Sequence, residues 1–357
     1  MTADAAAELA AATRSRAVAA GIDVYEYDQV AGALQDLTEW PAAFRETAER
    51  HRSAARDARD DGRAITAADN YRLASLWFYF AGAFPSPDFA SYRDAADTQQ
   101  AALDLQGARS ARVVGQEFVG VLRLPSGSGD TTPLVVILGG VDGAKEESLA
   151  VSDELIRRGL ATLALDGPGQ GELAGSRPPT QDFAAVVSAA LDAACTGAVP
   201  GWSPAAVGAL GTSLGGHYTL RSLAAEPRIR AAVVVSGFAT ASWAAVHPYV
   251  QSLMTFRAGS EQVAREFADS LDITARIPAI TQSLLLVDGG QDALVQGDFT
   301  GRWIASTAPN AEYRLVPTGD HNVANARWEW LPQAADWLAA RLVTPALPES
   351  DAAAAAR

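Results

Sequence analysis

A single cysteine, Cys195, leaves this sequence unable to close an internal disulfide or to build a cysteine-based metal cluster. That usage fits a reducing compartment. Basic charge is also scarce: 28 Lys and Arg stand against 42 Asp and Glu, a formal net charge of −14 over 357 residues. With no basic stripe to meet phosphates, a broad nucleic-acid contact is excluded, while a small anionic ligand in a locally positive cleft is not. No apolar run approaches the length needed to cross a bilayer. The first twenty residues, MTADAAAELAAATRSRAVAA, carry acid early and lack a continuous apolar stretch behind basic residues, so they do not read as a secretory signal. The expectation is a soluble, cytoplasmic protein with a small-molecule substrate and with neither nucleic-acid nor membrane partners.

What is present is ordinary globular material, 48% hydrophobic and 20% charged, long enough for one large domain and a smaller one. The pattern changes character near residue 106. Before it, helical periodicity dominates. Pro41 opens a helix through PAAFRETAERHRSAARDARDD that stops at Gly62, and a capping signal at Thr66–Asp69 precedes AADNYRLASLWFYFAGAF, which ends before Pro85 and Pro87. SYRDAADTQQAALDL reads as a third helix. The second carries Tyr71, Leu73, Trp77, Phe78 and Phe80, too many large apolar groups for a solvated helix, and these read first as interdomain core. After residue 106, apolar runs (VVGQEFVGVLRL, PLVVILGG, ATLALDG, AAVGALG, AAVVVSGF, SLLLVDGG, YRLVPTG) alternate with helical stretches. Continuous apolar strands divided by helices predict an α/β fold with a mostly parallel sheet covered on both faces. The stretch SWAAVHPYVQSLMTFRAGSEQVAREFADSLDI reads as extra helices over the sheet edge. The expected organisation is an all-helical cap domain over 1–105, a catalytic α/β domain over 106–343 and a frayed tail over 344–357.

The sharpest local signal is Gly211-Thr212-Ser213-Leu214-Gly215, followed by Gly216, set between the run AAVGAL and the helical YTLRSLAAE. A nucleophile on a tight strand-to-helix turn needs small neighbours, and the helix N-terminus beyond it favours developing negative charge. The alternative is a glycine-rich turn in which the serine only caps a helix. Serine needs a base, and four histidines allow elimination. His51 lies among charged helical residues and reads as solvated, His217 is too close to the turn, and His247 falls in the inserted helices. His321 follows the last strand-like run, where the chain order serine, acid, histidine expects the base. The same order selects Asp292 in the loop after SLLLVDGG. Asp288 is the rival at the strand end, and Asp320 is too close in sequence to orient its neighbour. An oxyanion hole would use the Leu214 N–H and a second donor from LGGVDGAKEE, Val141 first and Gly140 next. Asp142 reads as a helix cap, with Glu146 and Glu147 in the first helical turn; Asp166 braces a loop. Tyr71, Trp77, Trp243 and His247 are the candidates for substrate contact. No pattern calls for a cofactor, and the scattered histidines form no metal motif.

Together these elements resemble the α/β-hydrolase superfamily over roughly 106–343. The helical region, with GGVDGAKEE, DGPGQGE, GTSLGG, GGQDALV and GDHN, resembles its FrsA-like group, which includes 2,6-dihydroxypseudooxynicotine hydrolase and fungal chain-shortening hydrolases. The resemblance implies an α/β-hydrolase fold capped by N-terminal helices, Ser213, Asp292 and His321 as a triad, cleavage of a carbon–carbon bond beside a ketone on an aromatic or polyketide substrate, and a homodimer. One departure stands out. The pseudooxynicotine enzyme also uses a glutamate some thirty residues beyond its nucleophile, and the corresponding SGFATASWAAVHPYV holds no carboxylate. Carbon–carbon cleavage must protonate a poor leaving group, whereas an ester or thioester needs only triad and oxyanion hole. Acyl hydrolysis is therefore the leading expectation, beside an acyltransferase or cyclase using the same triad and a non-catalytic binding protein.

Overall fold

The computed structural model describes residues 3–83, 88–295 and 300–343. The tail expected over 344–357 and the two prolines expected to end the second helix lie outside the described residues. Five helices come first: α1 (Ala3–Ala20), α2 (Val24–Gly32), α3 (Trp40–Asp60), α4 (Ala64–Ala83) and α5 (Phe89–Leu105). The last three were legible in sequence, although Thr66–Asp69, expected as a capping signal, lies inside α4. Pro41 sits in the first turn of α3 and Asp88 caps α5 by accepting from Ala90 N–H. Helix α4 is buried on every side over its second half, because it runs between its neighbours: Trp77, Phe78, Tyr79 and Phe80 expose nothing to solvent. Trp77 lies against Tyr27 and Phe44, whose ring in turn stacks on Trp40 at 4.0 Å.

The sheet has eight strands in the order β1-β2-β4-β3-β5-β6-β7-β8. They are β1 (Arg109–Val114), β2 (Val119–Leu124), β3 (Leu134–Leu138), β4 (Ala161–Asp166), β5 (Val207–Thr212), β6 (Ile229–Val235), β7 (Ser283–Gly289) and β8 (Ala311–Val316). The run VVGQEFVGVLRL is not one strand but a hairpin, turned where Gly115 N–H donates to Phe118 O at 2.9 Å, so β2 is antiparallel to both its neighbours. All remaining pairs are parallel. Strands β3 and β4 are fully buried along their lengths, which is why they read as unbroken apolar runs.

Helices cover both faces. On one, α6 (Leu149–Ile156) and α12 (Arg327–Leu342) pack on Val135, Ile137, Leu210 and Val233. On the other, α7 (Phe183–Ala193), α8 (Leu214–Leu223) and the N-terminal helices share a larger core with Leu134, Val136, Leu138 and Ala209. The extra segment between β6 and β7 contains α9 (Pro248–Ala258) and α10 (Glu261–Asp269), and α11 (Gly301–Thr307) joins β7 to β8. This is the α/β-hydrolase fold. No described helix is long and apolar enough to cross a membrane.

The chain leaves β3 for β4 on one side, while β5 lies on its other side. The carboxyl ends of β3 and β5 therefore flank a topological switch point, the place where open α/β sheets form their ligand crevices. Two glycines let the elements converge there. A methyl group on Gly211 would lie 2.2 Å from Gly215 O, and one on Gly215 would lie 2.2 Å from Leu138 O. Gly215→Ala is accordingly expected to force β3 and α8 apart and to cost about 2 kcal/mol or more. An unchanged urea midpoint would show that the contact is not constraining.

Candidate active site

Strand β5 ends in a sharp turn into α8, with Ser213 at φ 56°, ψ −121°. A non-glycine residue at positive φ is strained by about 1–3 kcal/mol. The turn is held by Ser213 N–H donating to Val235 O at 2.9 Å and by Gly216 N–H donating to Ser213 O at 2.9 Å. Gly140, at the end of β3, faces the serine so closely that a methyl group on it would stand 3.4 Å from Ser213 Cβ. Val141 and Leu214 are both buried. Among the described residues, neither backbone N–H donates to any protein acceptor. Buried amides without partners are rare; Leu214 follows the serine directly, and Val141 follows Gly140, which faces it.

Asp292 and His321 come from the loops after β7 and β8. The imidazole Nδ1 lies 2.9 and 3.0 Å from the two Asp292 carboxylate oxygens, across 29 residues of sequence. Asp292 also accepts the Leu294 and Val295 N–H groups at 2.9 and 3.0 Å. Burial alone would raise its pKa, but the His321 hydrogen bond and charge and these two amides outweigh it and hold the carboxyl below its usual range. An ionised carboxylate only accepts, so Nδ1 carries the proton and Nε2 presents its lone pair. His321 sits in a tight turn in which Asn322 and Val323 both have positive φ. Asp320 fixes that turn by accepting Ala324 and Asn325 N–H, and Asn322 N–H donates to Ser236 Oγ at 3.0 Å, beyond the end of β6. The histidine loop thus folds back over β6, one strand from β5, and strands are spaced by about 4.8 Å. Among the described residues no hydrogen bond joins Ser213 Oγ to His321; the ring is anchored on its Asp292 side.

Asp288, the rival acid, does not meet the imidazole. Burial and the Asp292 charge push its carboxyl up to about 6, against hydrogen bonds from Tyr313 and Gly301 N–H. A cleft of about 680 Å³ opens beside it, lined by Asp288, Asp292, Arg302, Trp303 and Tyr313, but it does not reach Ser213.

The other histidines and the substrate-contact candidates fall elsewhere. His51 is not solvated: its ring bonds Glu26 at 2.9 Å and Asn70 at 3.2 Å. His217 is buried with Nδ1 at 3.1 Å from Phe238 O, and burial lowers its pKa to about 4. His247 is exposed and caps α9, its Nδ1 accepting from Tyr249 N–H. Tyr71 packs with Ala55 and Ala102 between α3, α4 and α5, and Trp77 is enclosed in the same helical layer with Nε1–H donating to Glu26. Trp243 is buried among the inserted residues, where Asp269 accepts its N–H and Arg265 lies over its ring. Tyr71 and Trp77 thus spend their bulk on packing in the helical layer, Trp243 is buried in the inserted segment, and His247 is exposed.

The loop carrying Val141 is instead surrounded by charged residues. Asp142 does not cap a helix, since α6 begins only at Leu149. It pairs with Arg16 of α1 at 2.7 Å, and Arg16 also bonds Glu147 and Tyr79. Burial disfavours the Asp142 charge, but Arg16 outweighs it and keeps the carboxylate ionised. Lys145, the sequence's single lysine, is fully buried and contacts Glu146, Asp166 and Glu172 at 2.7, 2.9 and 2.7 Å. Those three carboxylates form the one metal-like grouping among the described residues, and the ammonium occupies their centre. Asp166 braces the loop through Lys145 N–H as well, at 2.7 Å. Helix α1 reaches the second loop too, with Ser15 Oγ–H donating to Asp320 and Arg327 donating to Ala19 O. Arg16 and Ser15 carried no readable signal, because an Ala-rich helix shows no apolar stripe to say which face packs.

No protein-family model matches the chain. A stretch of 117 residues, 33% of the chain, is 39% identical to 31% of the 2,6-dihydropseudooxynicotine hydrolase of Paenarthrobacter nicotinovorans. A longer stretch, 60% of the chain, is 32% identical to half of the α/β hydrolase ucsC of an Acremonium species. The chain thus spans half or less of the length of these two curated relatives. The crystal structure of the 2,6-dihydroxy-pseudo-oxynicotine hydrolase superposes on 92% of the chain and 95% of its own length, with a TM-score of 0.80 at 24% identity. By sequence the chain is a homologue of proteins named hydrolases, and by structure it shares their fold.

Asp288 yields a pH test. Its folded pKa of about 6 lies above the ordinary 3.8, so the native state binds the extra proton between those values and loses stability as pH rises through them. Asp288→Asn removes that loss. The variant should gain about 3 kcal/mol well above pH 6 and nothing below about pH 3. Equal denaturation midpoints for both proteins at pH 8 would contradict the assignment.

Proposed function

We propose that this chain of the α/β-hydrolase fold is a serine hydrolase that opens an acyl bond, ester or thioester, in a medium-sized aromatic or polyketide-like carbonyl compound. Ser213 is the nucleophile, His321 the base, and Asp292 the carboxylate that fixes the imidazole tautomer. The observation that carries the reading is the Asp292–His321 hydrogen bond at the carboxyl edge of the sheet, beside a strained serine flanked by two unpartnered buried amides. The naming of the homologues as hydrolases supports it.

In the first half-reaction, His321 Nε2 takes the Ser213 proton as Oγ bonds the carbonyl carbon. The electron pair moves onto the carbonyl oxygen, which Leu214 and Val141 N–H receive. The bond to the leaving atom then breaks, and the imidazolium delivers its proton there. In the second half-reaction, water gives a proton to His321 and its oxygen to the acyl carbon; the Oγ–carbon bond breaks and the serine recovers its proton. Ester or thioester cleavage is favoured over carbon–carbon cleavage because residues 236–250, directly after β6, hold no carboxylate, and Asp142, next to the oxyanion loop, is held ionised by Arg16. An ionised carboxylate cannot protonate a carbanion.

Wild-type protein should be labelled by a fluorophosphonate probe, and Ser213→Ala should abolish the labelling while leaving the fold intact. Persistent labelling of the variant would relocate the nucleophile. Turnover of a p-nitrophenyl ester in ¹⁸O-water should place one heavy oxygen in the released acid. Product formed without heavy oxygen would assign transfer or cyclisation to the same serine.

A further inference from the structure

Gln170 lies in the loop after β4 and is only 2% exposed. Its carboxamide head is engaged at both the oxygen and the nitrogen. Oε1 accepts Gly167 N–H at 3.2 Å, while Nε2 donates to Gly139 O at 2.9 Å and to Gly140 O at 2.8 Å. Gln170 therefore grips two consecutive peptide units of the loop that ends β3. The described chain has no cis peptide, and in a trans peptide the N–H points opposite to the C=O of the same plane. Turning the Gly139 and Gly140 carbonyls toward Gln170 turns Gly140 N–H and Val141 N–H away from it. Gly140 meets Ser213, with a hypothetical Cβ 3.8 Å from Ser213 Oγ, and Val141 N–H has no protein acceptor among the described residues.

We propose that Gln170 is a positioning residue that locks these two peptides with their N–H groups facing the serine, so that the oxyanion hole stands formed before substrate arrives. The inference rests on the reading of Ser213 as nucleophile. Gly143 N–H also donates to Gly140 O, at 3.1 Å, and Gln170 adds to that hold on a segment where glycines at 139 and 140 impose little resistance to a peptide flip. A flipped 140–141 peptide would aim a carbonyl oxygen at the developing oxyanion, exchanging attraction for repulsion. A primary amide fits this role, since its NH₂ has two donors for two carbonyls and its oxygen ties it to its own loop. That loop is itself anchored, because Arg257 donates to Gly169 O at 3.1 Å.

Gln170→Glu isolates the effect, because it keeps an acceptor for Gly167 N–H and loses both donors. The full chain carrying Gln170→Glu or Gln170→Ala is assayed on a p-nitrophenyl ester and with a boronic acid inhibitor, which forms a tetrahedral adduct on serine. The expected result is a fall in kcat of about 10- to 100-fold, below the loss typical of deleting an oxyanion donor outright. KM should stay within about twofold, and boronate affinity should weaken in parallel with kcat. Thermal unfolding of the two variants separates the role from a folding defect; if Gln170→Ala unfolds, Gln170→Glu decides. Wild-type kcat in Gln170→Glu, or a rise in KM alone, would overturn the inference while leaving Ser213 in place. A wild-type chain that neither turns over ester nor is labelled at Ser213 would remove both.

Discussion

The backbone at Ser213 is the constraint around which the rest is arranged. A residue at φ 56° leaving a buried parallel strand survives only if its surroundings leave it no alternative. Gly211 and Gly215 permit β3, β5 and α8 to approach to distances no side chain would tolerate, and Val235 O, at the end of β6, captures the serine amide. The same device recurs at the neighbouring strand ends. Ser236 follows β6 at φ 49° and Asn322 follows His321 at φ 62°, and the two are joined by the Asn322 N–H to Ser236 Oγ hydrogen bond. Strain is thus concentrated along one edge of the sheet, where the apolar burial of β3 to β7 supplies enough stability to offset several kcal/mol.

The loops at that edge are held by charge more than by packing. A buried ion pair contributes little net stability, because desolvation offsets the attraction, but losing one partner strands the other at a cost of about 3–5 kcal/mol. The segment from Asp142 to Glu147 engages Arg16 and sits over a fully enclosed Lys145 with three carboxylate neighbours. It cannot swing without stranding several charges at once. Such a segment has one geometry. Helix α1 supplies one side of this clamp and also touches the histidine loop through Ser15 and Ala19, so the N-terminal helix bears on the two loops that flank Ser213.

The fold was legible where burial writes itself into local pattern. Continuous apolar strands, the small residues around Ser213 and the proline at the start of α3 each have one cheap structural solution. The serine, acid, base order depends on topology alone, and it led to the pair Asp292 and His321 that the structure joins by a hydrogen bond. What was not legible depends on contacts between residues far apart in sequence. Trp77 and Tyr71 look equally apt for a ligand or for a neighbouring helix, and here other helices take them. Gln170 resembles any polar residue in a glycine-rich turn until two carbonyls, thirty residues earlier, are seen to face it. Arg16 and Asp142 lie 126 residues apart, and neither has a local signature. The hairpin of β1 and β2 lies hidden within one apolar run because its turn residues include Phe118, which is buried and reads as core.

The chemistry available to such a site follows from where its protons can reside. The leaving atom must receive a proton, and the groups near the serine offer few sources. Asp292 is held below the ordinary carboxylate range. Asp142 is kept ionised by Arg16. The buried His217, at about 4, is neutral near pH 7 and turned toward Phe238 O. The Asp288 carboxyl, at about 6, retains some proton near neutrality, but it lies behind Asp292 and away from the serine. Glu146, raised to about 7 by burial, is engaged by Lys145, so on the proposed reading His321 is, among the described residues, the shuttle that returns to the leaving atom the proton it took from Ser213. An alkoxide or thiolate accepts that proton readily, since its conjugate acid is far stronger than a carbon acid. A carbanion would have to be stabilised within the substrate itself, by conjugation with an acceptor such as a second carbonyl, before a single imidazole could serve it. If Ser213 is the nucleophile, the same site geometry sets a condition on the substrate: the leaving group must carry its own stabilisation, because among the described residues no hydrogen bond brings a second acid to the serine.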